Sequence, residues 1–183
     1  ILRQDSQTIW LSTLNKGLVR YDRSGESVTV YDQSHGLPYN VIFFSDTLAG
    51  GKLLVGTQSG LAIFDPRTGK AELASPRAYA GEAFTSCLRQ NDTTFWLGTA
   101  SSGILEWKPG SPAFRSIGKV NGFTNEYTWK LIRDREQIIW IGTDQGLYRH
   151  FDNNFRYFNA SSGLPSEGVE ALLVENENVW AGI

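Results

Sequence analysis

Few side chains in this 183-residue sequence could do catalytic or metal chemistry. The histidines are His35 and His150, and the one cysteine is Cys87. A zinc site takes His, Cys or carboxylate ligands at short, regular spacing. Neither histidine has a partner at such spacing, so no metal site is predicted. Cys87 has a thiol that could act as a nucleophile. It lies in the apolar run Phe84 to Arg89, which points instead to a small buried packing residue. One thiol leaves no intrachain disulfide and no cysteine-built metal site. Asp22, Asp65 and Asp152 each follow a strand-like run and read as turn formers. An acid–base carboxylate pair stays open at this point, because only the fold decides which carboxylates are neighbours. No nucleophile elbow, phosphate loop or calcium loop occurs. The expectation is no catalytic residue, no cofactor and no metal.

The elements that must position any site come from a repeat. Trp140-Ile141-Gly142-Thr143 is followed by Gly146-Leu147-Tyr148, and the pattern recurs at Trp10 to Val19, Leu54 to Ala62 and Trp96 to Leu105. Trp180-Ala181-Gly182-Ile183 opens a fifth copy. The fourth motif positions 13, 57, 99, 143 and 183 are separated by 44, 42, 44 and 40 residues. A period of about 40–45 residues built from short strands is the mark of β-propeller blades. The predicted repeats span residues 1–40, 41–83, 84–127, 128–168 and a partial 169–183, within a single segment 1–183. Each reads as a four-stranded antiparallel meander. Strand one of each falls at Ile1–Gln4, Val41–Ser45, Phe84–Arg89, Thr128–Arg133 and Val169–Val174. Eighteen strands and no helix are expected, an all-β fold of about four and a half blades. Strand arithmetic predicts a partial segment of a larger propeller of about seven blades, since closed rings have about 4–8.

The motif aromatics Trp10, Trp96, Trp140 and Trp180 could stack on sugars, but their place inside apolar strands points to packing between blades. Thr13, Thr57, Thr99 and Thr143 read as structural hydrogen-bonders. The glycine after the aromatic reads as a close backbone approach or a bulge. Links between repeats share one face with the turns between strands two and three. That face is where loops held by rigid blades carry ligand sites. The regular links are His35 to Asn40 and Gly163 to Glu167; two others depart from them. One offers Arg77, Tyr79 and Glu82. The other offers Phe123, Asn125, Glu126 and Tyr127, with Trp129 just beyond. Aromatic and polar groups together suit a sugar or a peptide, and ordinary drift of the repeat is the competing explanation. The candidate ligand-binding residues are Arg77, Tyr79, Glu82, Asn125, Glu126, Tyr127 and Trp129.

The combination Trp-x-Gly-Thr, Gly-Leu-x-x-(Tyr/Phe)-Asp and Gly-Leu-Pro-x-(Asn/Glu) resembles the two-component regulator propeller repeat. It is clearest at Leu54 to Pro66 and Trp140 to Asp152, and weaker around 75–83 and 108–122. The resemblance implies the periplasmic, extracytoplasmic sensor part of a bacterial membrane receptor of the histidine kinase type, often one that senses glycans. On that reading the partners are a small-molecule or oligosaccharide ligand, further blades of the same protein and a homodimer mate. The alternatives are a scaffold for protein contacts and a propeller lyase. Composition bears on partners as well. A net charge of −2 leaves no electrostatic footprint for nucleic acid. No apolar run approaches the roughly 18 residues of a membrane span, so this segment is not expected to insert in a membrane.

Overall fold

A computed structural model describes residues 1–117 and 122–183. Part of the weak stretch 108–122 therefore lies outside the described residues. The chain forms two compact units, Ile1–Phe84 and Thr85–Ile183.

The first unit holds two four-stranded antiparallel sheets. One is β1 (Leu2–Arg3), β2 (Thr8–Ser12), β3 (Leu18–Asp22) and β4 (Ser27–Tyr31). The other is β5 (Ile42–Thr47), β6 (Leu53–Thr57), β7 (Gly60–Asp65) and β8 (Lys70–Leu73). Both are meanders, with each strand bonded to its sequence neighbour. The second unit repeats the plan. It contains β9 (Phe84–Asn91), β10 (Thr94–Thr99), β11 (Ile104–Trp107) and β12 (Arg115–Ile117), then β13 (Thr128–Arg133), β14 (Ile139–Thr143), β15 (Leu147–Phe151) and β16 (Asn154–Phe158). A two-stranded hairpin follows, β17 (Ala171–Glu175) and β18 (Asn178–Gly182). The fold is all-β, built of propeller blades.

Each unit buries its core between adjacent blades. Trp10, Leu18, Ile42, Leu53, Val55 and Phe64 pack together in the first, with Leu37 from the link. Trp96, Ile104, Leu131, Ile139, Ile141 and Tyr148 do so in the second, with Phe123 from the link. Burying each such side chain contributes about 1.5–3 kcal/mol. A lone four-stranded meander has no partner for its faces, so stacking is what makes these strands stable.

The motif threonine works as expected. Its Oγ1–H donates to the carbonyl of the motif glycine in all four blades: Thr13 to Gly17 at 2.8 Å, Thr57 to Gly60 at 2.8 Å, Thr99 to Gly103 at 2.9 Å and Thr143 to Gly146 at 2.7 Å. The glycine before the threonine marks both a close approach and a bulge: the register shifts opposite it, between Ile42 and Phe44 across from Gly56 and between Thr128 and Lys130 across from Gly142. A Cβ on Gly142 would overlap the Val169 carbonyl, and one on Gly56 the Phe44 ring. In the first blade serine takes this place, and Ser12 Oγ meets Ser45 Oγ at 3.3 Å.

Several expectations need correction. Strand one of the first blade shrinks to Leu2–Arg3, and the last begins at Ala171, not Val169. The Val169 N–H is committed to the Thr143 carbonyl at 2.8 Å. No α-helix occurs among the described residues, but single 3-10 turns form at Gln33–His35, Ala49–Gly51, Arg77–Tyr79 and Ala160–Ser162. The first is closed by Asp32 as N-cap and by Gly36 at φ 92°. Cys87 is half-buried, not buried. Packing between blades holds for Trp10 and Trp96, whose rings meet Phe64 at 5.4 Å and His150 at 5.0 Å from the next blade. Trp140 is half-buried, with its indole N–H donating to Asp134 Oδ2 at 2.7 Å. Trp180 is 57% exposed.

Candidate functional site

The residues open to chemistry from the sequence are mostly absorbed by the fold. His35 accepts the Asp32 N–H through Nδ1 at 3.2 Å and so caps its own 3-10 turn. His150 lies against Trp96 and Phe155, at 5.0 and 4.5 Å between ring centroids. Burial holds its imidazole below the ordinary range. Asp22 and Asp65 accept the N–H groups of Ser24 and Arg67, each at 2.9 Å. Asp152 and Asn153 both have positive φ, as a tight two-residue hairpin turn demands. Among the described residues no cluster of three or more His, Cys, Asp or Glu could hold a metal ion.

The links carry a regularity that the sequence hid. The motif glycine N–H donates to a link carbonyl: Gly17 to Asn40 at 2.9 Å, Gly60 to Glu82 at 2.7 Å and Gly103 to Glu126 at 2.7 Å. Glu82 and Glu126 thus hold the same backbone post as Asn40, although their surroundings depart from Gly-Leu-Pro. The apolar link position is also kept. Phe123 replaces Leu37, and each is 3% exposed. Phe123 is a core residue, in ring contact with Tyr148 and Phe155 at 4.7 and 5.4 Å.

In the first unit, Arg77 and Tyr79 lie on a 3-10 turn, with Arg77 exposed and Tyr79 half-buried. Glu82 is buried. The turn is tied to the β6–β7 loop by Ser59 Oγ, which donates to the Ala80 carbonyl at 3.4 Å.

In the second unit, Asn125, Glu126 and Tyr127 do come together. They line an open groove of about 330 Å³ with Ala100, Thr124, Asp144 and Gln145. Three separate segments build it: the β10–β11 turn, the link, and the β14–β15 turn. Asn125 is 6% exposed, and its Oδ1 accepts the Tyr127 N–H at 2.9 Å. Its Nδ2 is buried and has no partner among the described residues. Burial, with the charges of Asp144 and Glu170 adding to it, holds the Tyr127 hydroxyl above its ordinary range. The phenol is therefore a neutral hydrogen-bonding group. Trp129 does not line the groove, but its ring packs on Tyr127 at 4.3 Å. The register of β13 against β14 shifts between Thr128 and Lys130, so Trp129 is a bulged residue. A bulge re-aims a side chain beside a site, and this one lies opposite the motif glycine Gly142, as the same shift in the second blade lies opposite Gly56. A second groove, of about 250 Å³, lies between Asp134–Glu136 and Val174–Val179 and was not foreseen.

Comparison with known proteins sets this arrangement in context. No protein-family model matches the chain, and no curated protein matches it. Solved structures do. Two structures of the extracellular domain of BT4673 from B. thetaiotaomicron give TM-scores of 0.79 and 0.80 at 25% and 24% identity. One describes that protein as a one component system and the other as a hybrid two component system. The extracellular domain of the hybrid two component system BT3049 from the same organism gives 0.76 at 20% identity. Each match covers 97% of this chain and 25% of the neighbour, so the chain spans about a quarter of their length. An ancestral GH74 enzyme gives 0.66 at 15% identity, over 87% of this chain and 23% of its own. At that identity the likeness is one of fold alone.

Proposed function

We propose that this chain is a non-catalytic, ligand-recognising propeller segment in the extracytoplasmic part of a bacterial two-component signalling receptor. The likeness over 97% of the chain to extracellular domains of such systems carries the reading. The groove beside Tyr127 is the site it would use. Its aromatic face, its buried amide and its place on the loop side of two blades suit a small polar ligand such as a glycan fragment. No helix among the described residues is long and apolar enough to cross a membrane. The turn at Arg77 and Tyr79, with buried Glu82 behind it, is a second candidate contact surface in the first unit.

Titration of the chain with a panel of oligosaccharides, followed by tryptophan fluorescence, tests this. Tyr127→Ala should abolish the response while circular dichroism stays unchanged. Arg77→Ala reports separately on the first link. A response that survives Tyr127→Ala would remove the groove from the mechanism.

A further inference from the structure

The groove beside Tyr127 has a one-sided charge. Among the described residues its lining carries two carboxylates, Glu126 and Asp144, and no Lys, Arg or His. Glu170 adds a third negative charge that acts on Tyr127. Asn125 is the one buried polar residue in the lining, and its Nδ2, without a partner among the described residues, is a second observation that points to a ligand. A buried donor left unmade is unfavourable, and an acceptor brought by a ligand would recover that interaction. The Tyr127 ring, held from behind by Trp129 at a 43° tilt, supplies an apolar face whose electron-rich π-system favours a cation.

On the ligand-recognition reading above, we propose that this groove takes a hydroxyl-rich ligand bearing a free ammonium group, an amino sugar in its unacetylated form. The ammonium makes charge-assisted hydrogen bonds to Glu126 and Asp144. A ring hydroxyl accepts from Asn125 Nδ2, and the sugar face lies on Tyr127. A uronate or sulfated sugar would bring like charge against these carboxylates, and such juxtaposition rejects a wrong ligand. A neutral sugar keeps the stacking and loses the ionic contacts.

The test compares three trimers by calorimetry: glucosamine trimer, its fully N-acetylated form, and galacturonate trimer. It is run at slightly acidic pH, where the amines are protonated and the carboxylates ionised. The amine trimer should bind about tenfold more tightly than the acetylated one, and added salt should erode that preference. Galacturonate trimer should not bind measurably. Glu126→Gln and Asp144→Asn should each reduce the preference, and both keep the backbone contacts of their positions. Asp92→Asn, a carboxylate outside the groove, should leave it unchanged. Equal affinity for the amine and acetylated trimers would overturn the charge selection and leave glycan recognition standing. Tighter binding of galacturonate, or a preference that falls equally in Asp92→Asn, would also overturn the charge selection. No binding of any trimer would overturn both readings.

Discussion

At the scale of single residues, this chain is held together by small groups at fixed posts. The motif threonines each make one buried or half-buried hydrogen bond to a turn carbonyl. The glycines before the motif threonines make room for a neighbouring group. At Gly56 it is the Phe44 ring of the same blade; at Gly142 it is the next blade, where an added Cβ would strike the Val169 carbonyl and come within 3.1 Å of Val169 Cγ1. The Val169 N–H is fixed to Thr143, so the backbone there cannot move away freely. Gly142→Ala should therefore cost about 1–3 kcal/mol, the usual penalty of overpacking. Urea denaturation would measure it, and a shift near zero would mean that the contact between β14 and Val169 is loose. The motif tryptophans show how identical residue types diverge. Each indole N–H finds a polar partner: Gln4 for Trp10, Glu106 for Trp96, Asp134 for Trp140 and Glu175 for Trp180. Their burial nevertheless differs, from fully buried Trp10 to exposed Trp180.

At the scale of elements, the links matter more than the strands. Three links hand a carbonyl to the motif glycine before them, and two of these also plug a core between blades, with Leu37 and Phe123. The second link lacks the Gly-Leu-Pro signature and still supplies the Glu82 carbonyl. The third supplies both, with Phe123 as the plug. Phe123→Ala should cost about 3–5 kcal/mol, and Phe123→Leu, which restores the commoner link residue, markedly less. Thermal or urea melts of the two variants would check the order. A harmless alanine would return Phe123 to the list of ligand contacts. The groove follows from the same element. Its Asn125, Glu126 and Tyr127 are placed by the backbone bond from Gly103 to Glu126 and by the Asn125 side chain bonded to Tyr127 N–H.

At the scale of the whole molecule, the ionisable groups predict a two-stage response to acid. Burial lowers the His150 pKa, so the unfolded chain binds its proton more readily than the folded one. The contribution of neutral His150 is complete above the ordinary imidazole range and declines as pH falls through it. A second loss follows in the carboxylate range. Asp32 is held down to about 2, chiefly by the Ser34 hydroxyl and then by His35. Asp65 is held down to about 2, chiefly by the Arg67 guanidinium. Glu106 is lowered chiefly by Arg115. Depressed carboxylates stabilise above their ordinary range, and this is lost as pH falls from about 4 toward about 2. Urea midpoints across pH should show both stages. His150→Phe, which keeps the ring contacts, should remove the first and spare the second. A wild-type profile flat down to about pH 5 would contradict the role given to His150.

Much of this molecule was legible in the residues. Hydrophobic runs at a period near that of a blade, with Gly and Thr at constant offsets, determine strands locally, because strand pairing in a meander joins sequence neighbours. The eighteen strands among the described residues, the threonine bonds and the turn roles of Asp22 and Asp65 follow from that. Other features come from partners distant in the chain. Phe123 could not be told from a ligand contact until β11, β13 and β15 closed around it. The bulge at Trp129 depends on register between two strands. The exposure of Trp180 and the half-burial of Trp140 depend on what packs over them. The groove joins residues 100, 124–127 and 144–145, and its charge comes from side chains that no local pattern groups together. Burial and electrostatic environment are sums over spatial neighbours, so only the tertiary structure could decide them.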